Sequence, residues 1–200
     1  MASSPTSSAA AREREQEPEQ PTFFYDLGSP ECYLAAERIM SELPIAPEWE
    51  PVLSADLADA GPRPDLEQLA RLIEKRGLQP LRWPESWPMD TRTAMLAATY
   101  AKRVGRAVAF SLAAFRQAFA GGRNLADENT VLIAAAACEM HPTALLKGIS
   151  LRSVVRSLEL AGARASAAGA HSLPAIQVGE RLFEGHRAIE LAAAELTVAG

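Results

Sequence analysis

Cysteine and histidine are scarce here: two cysteines, Cys32 and Cys138, and three histidines in 200 residues. Two thiols so far apart give no disulfide framework. The scattered histidines have no metal-ligand spacing, so no metal is expected. No apolar run is long enough to span a bilayer, so no membrane partner is expected. Twenty Lys and Arg face 25 Asp and Glu, a net charge of −5. That leaves no basic footprint for nucleic acid. No internal repeat is visible. Residues 1–20 are rich in Ser, Ala, Arg, Glu, Gln and Pro and lack the apolar core of an export signal. They read as a disordered tail, and a cytoplasmic location is the expectation. What the chain does have is apolar residues, 48% of the total, with alanine prominent. This favours a helix-rich globular fold, with length for one core or one domain carrying a sizeable insertion.

Residues 22–27 form an apolar strand that runs into a turn at Gly28. Ser29 suits an N-cap and Pro30 the first helical position, so a helix is expected from Pro30 to about Leu43. Glu48 to Ser54 reads as a second strand, with Pro51 pointing to an edge or a bulge. Strand, helix and strand make a right-handed crossover with a parallel pair. A helical block follows. Asp65 with Gln68 resembles a capping box, and Gly77 stops that helix. Residues 81–88 form a stiff loop rich in Pro and Trp. Helices are expected over Thr91–Val104, Arg106–Ala120, Asp127–Met140 and Ser150–Ala168, with His141-Pro142 read as a terminator. Strands over 174–178 and Arg181–Glu184 and a helix over Arg187–Leu196 close the chain. The expected class is α/β, a split βαβ…ββα over residues 21–200 with an all-helical insertion at about 64–168.

The chemistry concentrates at Ser29-Pro30-Glu31-Cys32. This tetrapeptide has the shape of a Cys-Pro-x-Cys redox motif whose first cysteine, the nucleophile, is replaced by serine. An internal disulfide is thereby excluded, while the Ser29 hydroxyl retains the ability to donate to another molecule's thiolate. Cys32, one turn into the helix, reads as a packed thiol, with a single reactive thiol as the rival. Cys138 reads as a small buried hydrophobe. Asp26, at the strand end, is expected to orient the turn by accepting backbone bonds. His171 and His186 flank the last strand pair, and either would serve as a base if it faced Ser29. Trp83-Pro84 and Trp87 would wall a substrate pocket or form a lid over the core. Glu67, Arg71, Glu74 and Lys75 read as a solvated helix face.

Together, Tyr25-Asp26, Ser29-Pro30, Tyr33, Trp83-Pro84, Leu173-Pro174, Phe183 and Gly185 resemble the DsbA-like branch of the thioredoxin superfamily. Within it, the likeness is nearest to the 2-hydroxychromene-2-carboxylate isomerases and the kappa-class glutathione transferases. It covers about residues 22–197. It implies a thioredoxin-like fold with a cis bond at Leu173-Pro174. It also implies Ser29 as the catalytic group, with glutathione or another low-molecular-weight thiol bound along Leu173 and Pro174. Trp83, Pro84 and His186 complete the expected binding residues. A small-molecule substrate and a homodimer belong to the same expectation. Two departures stand out: Arg187 occupies the place of the carboxylate that would hold the glutathione amine, and Met89-Asp90-Thr91 opens the helical block where an asparagine is usual. Three functions follow as alternatives: a thiol-dependent isomerase or transferase, a thiol-disulfide oxidoreductase using Cys32, and a non-catalytic binding module. Fold alone does not choose among them.

Overall fold

The computed structural model describes residues 20–57, 65–78 and 80–198; the tail expected over residues 1–20 lies, apart from Gln20, outside the described residues. Four strands form one sheet: β1 (Thr22–Tyr25), β2 (Glu48–Pro51), β3 (Ala175–Val178) and β4 (Arg181–Glu184). Their order is β2-β1-β3-β4. β1 pairs parallel with β2, while β1–β3 and β3–β4 are antiparallel. Pro51 ends β2 on the sheet edge, where its missing N–H breaks no central ladder.

β1 is apolar without alternation because both of its faces are covered. Phe23, Phe24 and Tyr25 are all buried. Phe23 and Tyr25 share a face and stack at 5.4 Å, and Trp49 meets both rings edge-on. Tyr25 also meets Phe115 and pairs its hydroxyl with Ser111 Oγ at 2.6 Å. Burial raises the Tyr25 phenol well above its usual range, so that hydroxyl stays protonated. The same contacts tie the central strand to the helical block.

α1 (Pro30–Glu42) crosses from β1 to β2. The block between β2 and β3 contains α2 (Leu66–Lys75), α3 (Arg92–Arg103), α4 (Ala107–Phe115), α5 (Glu128–Ala137), α6 (Pro142–Ile149) and α7 (Arg152–Ala167); α8 (Ala188–Val198) closes the chain. α2 starts as its sequence indicates, with the Asp65 carboxylate accepting from the Glu67 and Gln68 amides, and stops at Gly77 with φ +62°. α4 continues into a π turn over Arg116–Ala120.

His141 corrects the sequence reading. It starts a helix rather than ending one: its Nδ1 accepts from the Thr143 amide at 3.2 Å, and Pro142 occupies the first turn of α6. Proline reads as a stop inside a helix, but at the first position it needs no N–H. The chain turns before it, at Glu139, whose φ is +61°.

Buried charge locks the block to the sheet edge. Glu50 of β2 is buried and meets Lys102 of α3 at 2.6 Å and Arg164 of α7 at 2.9 Å. Two cations around one carboxylate offset its desolvation, whereas removing them would strand a buried charge. α3 and α6 approach closely because residue 148 has no side chain: a Cβ there would lie 2.4 Å from the Tyr100 ring. We therefore expect Gly148→Ala to destabilise the fold by about 1–3 kcal/mol through overpacking. Urea denaturation should show a lower midpoint at unchanged slope; a wild-type midpoint would mean that this helix pair is not tightly packed.

Candidate functional site

The site is organised by a carboxylate. Asp26 follows β1 and is 6% exposed. Its Oδ1 accepts from the Gly28 amide at 2.9 Å and from the Thr91 hydroxyl at 3.0 Å. Its Oδ2 accepts from the amide and the hydroxyl of Ser54, both at 2.8 Å. One side chain thus joins the β1–α1 turn, the helical turn at Ser54–Asp56 after β2, and the start of α3. Gly28 is required by this closeness, since a Cβ there would lie 2.8 Å from Thr91 Cγ2. Trp87 fastens the loop from outside, its Nε1 donating to the Gly28 carbonyl at 3.1 Å.

The turn delivers Ser29 to the N-terminus of α1. Its amide donates to the Asp26 carbonyl, and its Oγ accepts from the Cys32 amide at 3.1 Å. Cys32 is fully buried, and burial pushes its thiol far above the usual range, partly offset by the nearby Ser29 hydroxyl. The exposure that a reactive thiol needs is therefore missing. Cys138 is likewise buried, and burial raises its thiol too. Glu31, which precedes Cys32 in α1, is half-buried, and burial raises its carboxyl.

The opposite wall comes from the far end of the chain. Leu173-Pro174 is cis, as is Trp87-Pro88. Glu184 shapes the approach to the first of these: it accepts from the amides of His171 (2.8 Å) and Ser172 (2.6 Å) and from the Ser172 hydroxyl (3.1 Å). The Gly185 amide bonds to the Pro174 carbonyl at 3.0 Å. Among the described residues the amide and carbonyl of Leu173 have no partner. Ser29 and Leu173 both line a cleft of about 400 Å³, together with Leu53, Trp87, Met89 and His171.

The remaining expected site residues lie elsewhere. Trp83 lines a separate apolar pocket of about 580 Å³ against α2, and Pro84 is buried. His186 lines a small pocket with Pro174, Arg38 and Arg76. The second Trp-Pro pair and His171 stand in the Ser29 cleft instead. Trp83 does reach the cleft indirectly, its ring packing edge-on to Trp87 at 4.9 Å. Thr91, Ser54 and Glu184 were missed, because a lone polar residue carries no signal of a long-range partner. Among the described residues no group of three or more His, Cys, Asp or Glu is disposed to hold a metal ion. Nor is any helix among them long and apolar enough to cross a membrane.

The DSBA-like thioredoxin domain model matches residues 22–197. The chain belongs to that family. Among solved structures it is similar to a 2-hydroxychromene-2-carboxylate isomerase, at 18% identity and TM-score 0.77, covering 90% of this chain and 96% of that one. It is also similar to a probable DsbA oxidoreductase from Streptomyces coelicolor, at 16% identity and TM-score 0.70, covering 90% and 89%. A DsbA from Pseudomonas aeruginosa follows at 13% identity and TM-score 0.59, covering 92% and 89%. At such identities the likeness is one of fold. No curated protein matches the chain.

Two outcomes follow from this geometry. Asp26→Asn turns one acceptor into a donor facing donors, which should cost about 1–3 kcal/mol of stability and loosen the cleft. Denaturation and amide exchange at Gly28 and Ser54 would register it; unchanged protection at both would contradict the arrangement. Ser29→Cys should form a disulfide with Cys32 that reductant opens, detected by thiol titration with and without dithiothreitol. Persistently free thiols under oxidising conditions would mean that the two positions are not in bonding reach.

Proposed function

We propose that this DSBA-like thioredoxin chain is a cytoplasmic enzyme that isomerises a small organic molecule, or transfers a thiol to it, using glutathione or another low-molecular-weight thiol held at Ser29. The observation carrying this reading is the position of the Ser29 hydroxyl on the cleft wall, with Cys32 sealed beneath it. A serine hydroxyl can accept and donate at once. Ser29 Oγ accepts from the Cys32 amide, which fixes the oxygen and leaves its hydrogen for a sulfur in the cleft. The start of α1 adds a field that favours an anion there.

Other groups fit a thiol with a peptide-like body. The amide and carbonyl of Leu173, without partners among the described residues, suit an extended segment added alongside, as strands are added at a sheet edge. Leu53, Leu57, Trp87 and Met89 offer apolar surface to an organic substrate. When bound, the thiol supplies a nucleophilic sulfur, and the chain's own part is to orient it and hold it ionised. Arg187 is exposed where a carboxylate for the glutathione amine was expected, so thiols lacking that amine fit the same reading.

The oxidoreductase alternative would need Cys32 as its nucleophile, and the burial of that thiol counts against it. The binding-module alternative requires no bound thiolate at all.

A free thiol titrates near 8.5, and a donor to its anion lowers that value. In Ser29→Ala the midpoint should move back up, so that at fixed pH the ionised fraction falls. Losing a hydrogen bond to a charged group is worth about 1.5–3 kcal/mol, or roughly a tenfold to hundredfold drop where ionisation is not saturated. The ultraviolet thiolate absorbance of glutathione and of mercaptoethanol, titrated with each protein, gives the readout. Identical titrations of wild type and variant would sink the assignment to Ser29.

A further inference from the structure

Glu31 has no assigned part in the site, yet it stands between two pockets. It lines the Ser29 cleft on one side and the pocket of Pro174, Gly185 and His186 on the other. Its carboxyl is half-buried, and burial alone sets the direction of its shift, with no cation or hydrogen-bond donor among the described residues to offset it.

The neighbouring charges are committed elsewhere. Arg38 is bonded to Glu42 and Glu190. Arg76 is bonded to the His186 carbonyl and to Glu190. Across the Ser29 cleft, both Asp26 oxygens are occupied, and Asp90 Oδ1 accepts from the Arg92 amide. Cys32, on the same helix, is sealed in the core. His171 and His186 are the other titratable groups on these walls, and His171 alone of the two lines the Ser29 cleft.

We propose that Glu31 is the proton acceptor for the thiol bound at Ser29, taking up the proton that the thiol loses and holding it while the sulfur is an anion. This rests on the thiol-dependent reading above. In the step, the S–H bond breaks, its electron pair stays on sulfur, and the proton joins a Glu31 carboxylate oxygen. One negative charge moves from carboxylate to sulfur, so the net charge of the site is unchanged. A half-buried cleft favours such an exchange over creating a second anion beside the first. Ser29 then stabilises the sulfur, and the protonated Glu31 no longer repels it.

Counting protons tests this without any substrate. In weakly buffered solution near neutral pH, glutathione or mercaptoethanol is added, and the protons released are compared with the thiolate formed. Wild type should release clearly fewer than one proton per thiolate, because Glu31 retains it. Glu31→Gln should release one, and the lost repulsion should raise its thiolate fraction at the same pH about tenfold below saturation. His171→Gln should still release clearly fewer than one proton per thiolate. As pH rises, wild-type release should climb towards one as the retained proton is given up, an internal check that needs no variant. A wild-type ratio of one at neutral pH, or restoration of full release by His171→Gln instead of Glu31→Gln, would overturn the proposal while leaving Ser29 in its role. Absence of any thiolate in wild type would overturn both.

Discussion

The candidate site depends on the carboxylate of Asp26. Three chain segments that share no sequence neighbourhood converge on its two oxygens: the Gly28 turn, Ser54 after β2, and Thr91 at the start of α3. Each bond satisfies a partly or fully buried donor, and each would cost free energy if left unmet. The carboxylate is therefore less a reactive group than a three-way joint. It determines where the turn ends, hence where Ser29 caps α1, and where the helical block begins relative to the sheet. The cleft exists because those segments are held to a common point while His171, Ser172 and Leu173 add lining from the far end of the chain.

A similar economy appears on that opposite wall. Glu184, at the end of β4, gathers the amides of His171 and Ser172, so the loop before Pro174 is shaped by the very strand that follows it. Asp26 and Glu184 thus do parallel work: each is a strand-end carboxylate that saturates backbone amides of an adjoining loop. With their own amides satisfied in this way, the two loops leave Ser29, Glu31, His171 and the Leu173 backbone among the polar groups that line the cleft. Polar groups that are not spent on the fold are the ones left to orient a ligand.

Much of this was legible in the sequence, and the exceptions have physical causes. The strand–turn–helix around Ser29 is encoded locally: apolar β1, a small turn residue, a capping hydroxyl and a proline at the first helical position. Such features need no knowledge of the rest of the chain. The cis bond at Leu173-Pro174 came from resemblance, since its local signal is weak. Trp83-Pro84 and Trp87-Pro88 look alike in sequence, and only the tertiary course shows that the second pair meets Gly28 while the first packs against α2. His171 and His186 present the same difficulty, since both flank one strand pair. His141 misled because a His-Pro step after an alanine-rich helix reads as a stop, whereas the imidazole can itself serve as a cap acceptor.

Replacing a nucleophilic thiol by a hydroxyl changes what the residue beneath it is for. In a dithiol motif the second sulfur must lie within bonding reach of the first and lose its proton, so that it can attack and resolve the mixed disulfide. Cys32 meets the first requirement through its closeness to Ser29 but not the second, since it is fully buried and its thiol is held protonated by that burial. A protonated, enclosed sulfur behaves as a small apolar side chain that fills space under the turn. The hydroxyl above it is oriented by the Cys32 amide, a backbone group that would remain with any side chain at that position. The chemistry attributed to Ser29 thus depends on the backbone of residue 32 and is independent of its sulfur. The two halves of a redox motif have here become a donor and its packing support.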